Sequence, residues 1–281
     1  VEYYRLAYQA VKEACPECQV APSSMVGPHR EILQALVDAG LSDEIDFIAY
    51  HFYEEYLRVD ELVNLLRDLG LQDKPIWLTE SQFGGMERAY GSEEQVAKWP
   101  AESYVYALAN GFQVVMPSEL VAHPDFPDGL RWSCLVDEHG TKRLSYYAYE
   151  TLIEKLDDFT DVEVLSVGEI EVPGPGMGRT EGLFAFKFIV KDRPVYVVWG
   201  EGSLPEELKG TFKATNLRGE ERIVDVSELQ GCLDILFLEP LGEGVVVEER
   251  GSSSITLSVE PSTVAPGEEV VVEGQLSPPL K

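Results

Sequence analysis

The sequence predicts an α/β fold: half of a (β/α)8 barrel followed by an antiparallel β-sandwich. Three observations predict it. Between residues 19 and 159, four short apolar runs alternate with four helical patterns, the order that yields a parallel sheet with helical crossovers. Four such units are half of a barrel that needs roughly 250 residues. From about Thr160 the apolar period shortens to two and no helical stretch follows, as in antiparallel sandwiches.

In chain order, residues 2–14 place Tyr4, Leu6, Ala7, Ala10 and Val11 on one helical face, and Pro16 ends that helix. Residues 19–25 read as a short strand. Residues 28–39 read as a helix with Ile32, Leu33, Leu36 and Val37 inward and Gly40 as its cap. Residues 45–53 (IDFIAYHFY) form the next strand, and 59–69 a helix capped by Gly70. The run 76–78 (IWL) is the third strand. Ser92 N-caps a long helix with Glu93 and Glu94 in its first turn, and Pro100 is expected to kink or break it before Asn110. A strand over 112–120, a loop containing Pro124, Pro127 and Gly129, and a final helix over 145–159 complete this part.

In the second part, 183–190 (LFAFKFIV) puts Phe184, Phe186 and Phe188 on one face. Further short strands are expected over 193–200, 210–215, 221–226, 232–238 and 244–249, with a flexible loop at 173–178 (PGPGMG). The expected divisions are therefore a half-barrel over 1–159 and a β-sandwich over 160–250. Residues 251–281 are a linker followed by the opening strands of a module similar to the immunoglobulin-like repeats of secreted and surface proteins.

Composition narrows the function classes. Fifty Asp and Glu against 22 Lys and Arg give a net charge of −28, which argues against nucleic acid and anionic membrane surfaces as partners. Neutral sugars remain compatible. No apolar run is long enough to span a bilayer, and no signal peptide is visible at the start. Cys15 and Cys18 form a CPEC step, read as a local disulfide or two plain thiols rather than zinc ligands, while Cys134 and Cys232 are assigned to packing. No metal and no cofactor is expected.

The chemistry centres on residues 74–85 (KPIWLTESQFGG). A buried strand of Ile76, Trp77 and Leu78 ends on a carboxylate, Glu80, at the edge where barrel enzymes keep their catalytic groups. Strict alternation places Ile76, Leu78 and Glu80 in the barrel lumen and Trp77 under the helices. One strand–helix–strand step upstream, His51 and Tyr53 share a face with Phe47 and Ala49 and reach the same rim.

Three segments, 46–53 (DFIAYHFY), 74–85 and 134–152 (CLVDEHGTKRLSYYAYETL), resemble the clan A (β/α)8 glycoside hydrolases, the superfamily of cellulases, β-galactosidases and β-xylosidases. Residues 3–24 look like the helix after that family's fourth strand, and Asp137–Gly140 like the turn before its last helix. The resemblance covers residues 2–159 and implies the C-terminal half of the barrel, strands five to eight. It implies that Glu80 is the nucleophile of a retaining glycosidase, Tyr53 the tyrosine hydrogen-bonded to it, and His51 a sugar contact. Trp132 is placed in the loop after the eighth strand, where it stacks on a sugar or packs in the core. Glu119, at the end of the eighth strand, is a candidate for a sugar hydroxyl.

The family's acid/base glutamate sits in an Asn-Glu pair on the fourth strand, and no Asn-Glu dipeptide occurs in this chain. The expected partners are a carbohydrate substrate and the N-terminal half of the same barrel, in a protein outside the cell or attached to its surface. The chain is then part of a larger protein, a cleaved chain still paired with its other half, or an inactive scaffold. The rival function is a non-catalytic surface or filament-forming protein built on the same barrel.

Overall fold

The computed structural model describes residues 1–52, 59–81, 92–126, 128–171, 179–230, 232–241, 255–256 and 275–276. Helix α1 (Glu2–Ala14) leads to strand β1 (Met25–Val26), α2 (Arg30–Asp38), β2 (Ile48–Phe52), α3 (Val59–Asp68), β3 (Ile76–Ser81), α4 (Glu93–Ala109) and β4 (Phe112–Val115). The four strands form one parallel sheet in sequential order, β1-β2-β3-β4. Short α5 (Asp128–Ser133) and α6 (Leu144–Leu156) follow.

Ile48, Tyr50 and Phe52 of β2, Ile76 and Leu78 of β3, and Phe112 of β4 enter a core with Leu33 and Leu36 of α2, Leu62, Leu65 and Leu66 of α3, and Tyr104 of α4. The helices therefore cover this face of the sheet. That reverses the expectation for the first half of β3: Ile76 and Leu78 point to the helices, and Trp77 points away, stacked on Phe47 with ring centroids 4.1 Å apart. In a parallel strand both faces are apolar, so composition does not reveal which parity meets the helices.

Four other local expectations shift. Strand β1 is Met25–Val26 and meets the expected 19–25 only at Met25. Helix α4 runs unbroken through Pro100. Strand β4 stops at Val115 because Pro117 has no N–H to continue the ladder, although Met116 and Ser118 still donate their N–H groups to the carbonyls of Leu78 and Ser81. Helix α1 buries no residue fully and leaves Leu6 and Val11 exposed. It is held by polar contacts: Tyr4 donates to the Glu44 carbonyl at 2.5 Å, Tyr8 donates to Asp46, and Lys12 pairs with Asp46 at 2.8 Å. Cys15 and Cys18 are joined as a disulfide, and Cys134 is a buried thiol.

The second part is a six-stranded antiparallel sheet made of β5 (Phe159–Ser166), β8 (Leu183–Val190), β9 (Arg193–Glu201), β10 (Thr211–Thr215), β11 (Glu221–Asp225) and β12 (Cys232–Pro240), in the order β11-β10-β12-β9-β8-β5. Two three-residue strands, β6 (Glu169–Glu171) and β7 (Arg179–Glu181), make a separate ribbon. Phe184, Phe186 and Phe188 are buried together, as the period-two pattern requires, each contributing about 1.5–3 kcal/mol by burial. The layering differs from a sheet-on-sheet sandwich: this face packs on helices, with Tyr106 of α4 edge-on to Phe186. Ala185, Tyr196, Val198, Phe212 and Leu238 form a second cluster on the other face.

Residues 1–241 form one compact unit and 242–281 a second. The change of period near 160 falls inside the first unit, where helices and sheet share a core. In the second unit, β13 (Ile255–Thr256) pairs antiparallel with β14 (Gln275–Leu276). The rest of the immunoglobulin-like expectation, and the strand expected over 244–249, lie outside the described residues.

A charge cluster around a buried lysine joins α6 to the sheet. Lys155, 6% exposed, places its Nζ 3.1 Å from Glu221 and 2.9 Å from Glu239, and Lys213 contacts the same two carboxylates. Hydrogen bonds from Lys213 and Lys155 hold Glu221 below the usual carboxylate range. Burial pushes Glu239 up, but the same two lysines outweigh it and its net shift is also downward. Depressed folded values mean that this stabilisation is full above the unfolded carboxylate value and disappears as pH falls through the lower folded one. Lys155→Met should destabilise the first unit by about 2 kcal/mol, below the range for fully buried pairs because both glutamates keep solvent contact. It should also weaken the loss of stability below about pH 4.5. Urea melts from pH 3 to 7 test both; a variant with unchanged acid sensitivity refutes the linkage.

Candidate active site

The site is assembled where β2 and β3 end. In the paired register Tyr50 faces Leu78, His51 faces Glu80 and Phe52 faces Ser81, so Thr79 is an extra residue bulged out of β3. The bulge resets the alternation. Leu78 points to the helices, and so does Ser81, which is 2% exposed, while Glu80 joins His51 on the opposite face. Strict alternation placed Glu80 in phase with Ile76 and Leu78; the strand reverses phase between them, and Glu80 reaches the face shared by His51 and Trp77.

The His51 Nδ1 atom lies 3.7 Å from Oε2 of Glu80. The imidazole is largely covered, with 17% side-chain exposure, and the carboxylate is more open at 41%. The imidazole is thus the more enclosed member of the pair and the carboxylate the more open to solvent. Thr79 lies beside the pair with its hydroxyl 3.4 Å from that of Ser24, just before β1. Below them, Phe47 and Trp77 form the apolar floor of this face.

Ser81 is the anchor on the helix side. Its hydroxyl donates to the Met116 carbonyl at 2.8 Å and lies 2.6 Å from the Tyr104 hydroxyl. Tyr104 sits between Trp99 and Tyr149, both edge-on to its ring, and burial holds its phenol above the ordinary range. Neither Ser81 nor Tyr104 is singled out by the sequence, because nothing in a T-E-S run announces a bulge.

The other expected site residues are placed less centrally. Tyr53 lies outside the described residues. Glu119 is not at a strand end: it is exposed in the loop four residues after β4, near the buried Cys134 thiol, whose pKa burial pushes up to about 11, with Glu119 adding to the rise. Trp132 is not in a loop but in α5, half-buried, with its carbonyl accepting from Ser145 at 2.6 Å. The turn before α6 has the expected form, with Asp137 accepting from the N–H groups of His139 and Thr141 at 2.8 Å each. Among the described residues no group of three or more metal-ligating side chains converges, and no helix is long and apolar enough to cross a membrane.

No protein-family model matches this chain, and no curated protein sequence matches it. Solved structures do. A family 39 glycoside hydrolase from the gut symbiont Bacteroides cellulosilyticus WH2 superposes with a TM-score of 0.60 at 14% identity, over 84% of this chain and 53% of that one. A family 39 β-xylosidase from Caulobacter crescentus gives 0.51 at 15% identity, over 85% of this chain and 62% of that one. A family 39 enzyme from Xanthomonas axonopodis pv. citri gives 0.50 at 14% identity, over 85% and 64%. The mixed α/β fold, a parallel sheet with an appended antiparallel sheet, is thus one found in glycoside hydrolases, and the chain spans 53% to 64% of the length of these three proteins.

Proposed function

We propose that this chain belongs to a retaining glycoside hydrolase of clan A and supplies the C-terminal half of its barrel. The observation that carries this reading is the His51–Glu80 pair, 3.7 Å apart on adjacent strands at the C-terminal end of a parallel sheet, where barrel enzymes hold their catalytic groups. In this reading an oxygen of Glu80 bonds to the anomeric carbon as the glycosidic C–O bond breaks. A second carboxylic acid, ~5–5.5 Å away in such enzymes, gives its proton to the leaving oxygen. Water, deprotonated by that same group, then displaces Glu80 and regenerates it. His51 contacts a sugar hydroxyl beside the bond being formed, and Tyr53 orients the Glu80 carboxylate. Glu119 and Trp132 are outer candidates for sugar contact.

The acid/base group belongs to a preceding segment with the other four strands, which pairs with the outer edges of β1 and β4. Three features support that assignment: the sequential strand order, the packing of helices on one sheet face alone among the described residues, and the 53–64% span of the structural neighbours. A carbohydrate is the substrate, and the proposed location is outside the cell. A 2-deoxy-2-fluoro glycoside carrying a good leaving group tests the reading: incubated with the complete protein, it should label Glu80 in peptide mass spectra. Labelling of a different carboxylate refutes the assignment of Glu80. The absence of both labelling and turnover across neutral glycosides favours the non-catalytic surface protein.

A further inference from the structure

We infer that Ser81 and Tyr104 are positioning residues that hold Glu80 beside His51 by locking the bulge at Thr79. The inference deepens the proposed function and rests on it for its kinetic part only. A strand that kept strict alternation after Leu78 would turn Glu80 toward the helices, into a core of leucines and aromatic rings, where an ionised carboxylate has no place. The inserted residue avoids this, but a bulge in a strand interior disrupts the ladder locally and needs something to hold its register. Ser81 supplies it. Ser81 has one hydroxyl proton, and it is given to the Met116 carbonyl; the Tyr104 hydroxyl, 2.6 Å away, therefore donates to Ser81.

This relay links helix α4, strand β3 and the chain that continues β4, and both of its hydroxyl-bearing side chains are buried, Ser81 2% and Tyr104 1% exposed. The Ser118 N–H adds a backbone bond to the Ser81 carbonyl at 2.9 Å. Fixing residue 81 inward fixes residue 80 outward, because successive strand side chains take opposite faces. The hydroxyls thus act on the carboxylate through the backbone without touching it.

The imidazole ring signal of His51 in a carbon–proton NMR spectrum of the histidine-labelled chain reads the placement directly. Glu80→Gln sets the reference displacement of that signal. Ser81→Ala should displace it in the same direction by at least half as much, and Tyr104→Phe by less, since the bond to Met116 survives. Ser103→Ala removes another fully buried serine hydroxyl, bonded within α4 to the Pro100 carbonyl, and should leave the signal in place. In the complete enzyme Ser81→Ala should lower kcat by roughly ten- to a hundred-fold with KM almost unchanged, and Ser81→Thr, which restores a hydroxyl, should recover part of it. A folded Ser81→Ala variant with an unmoved His51 signal overturns the inference. If Ser81→Ala does not fold, Tyr104→Phe, which keeps the ring, decides the matter by the same signal. A displaced signal in a protein without glycosidase activity leaves the clamp standing and removes only the proposed function.

Discussion

Glu80→Gln in the complete protein should abolish glycoside hydrolysis, with a loss of at least about 10^4-fold in kcat, while the melting temperature and circular dichroism stay at wild-type values. The substitution keeps the size and shape of the side chain and removes the charge that, in the proposed mechanism, attacks the anomeric carbon. The side chain is 41% exposed, so the neutral amide meets no large desolvation penalty and the fold has little reason to respond. In the same proposal Tyr53 gives one orienting hydrogen bond and is not the nucleophile, so Tyr53→Phe should have a smaller effect on that step. In the proposed reading the proton donor lies on the preceding segment, so the chain on its own should show no turnover. Full activity of Glu80→Gln, or robust turnover by the isolated chain, overturns the proposed chemistry at its centre.

The largest effect on stability is expected at Gly200. This residue of β9 has φ +89°, and a Cβ built on it lies 2.1 Å from the Gly182 carbonyl oxygen, a backbone atom that accepts from the Glu201 N–H. Gly200→Ala therefore adds both an unfavourable backbone conformation and an overlap that only movement of β8 against β9 can relieve. We expect a loss of about 3–5 kcal/mol, seen as a fall in Tm of roughly 6–20 °C for a unit of this size. Gly111→Ala is the matched comparison: φ is +90°, but no atom lies within 4 Å of the added Cβ. It should lose only about 1–2 kcal/mol. Equal losses at the two positions would mean that backbone conformation alone, not the close approach of β8 and β9, makes Gly200 necessary.

The strand–helix alternation, the antiparallel second part, and the meeting of His51 with Glu80 are legible in the sequence, because each rests on a period or a spacing. A helix repeats every 3.6 residues and a strand every two, and one β-α-β step between two strand ends brings those ends to the same rim. The shared face of Phe184, Phe186 and Phe188 follows in the same way. By itself, then, the sequence determined most of the strands and helices, and that an imidazole and a carboxylate end neighbouring strands.

Tertiary structure decided how those side chains point. Ile76 and Leu78 are apolar, and so is Trp77 between them, so no pattern within β3 says which parity faces the helices; that is settled by the leucines of α2 and α3 and the rings of α4. The bulge at Thr79 depends on the register of β3 against β2 and on the hydroxyls of Ser81 and Tyr104, 23 residues apart in the chain and 2.6 Å apart in space. Trp132 leaves its expected loop for a short helix, and β4 stops at Val115, before Glu119. Local sequence carries the periods; the phase of a strand is set by the partners packed against it, and the phase is what turns Glu80 toward His51.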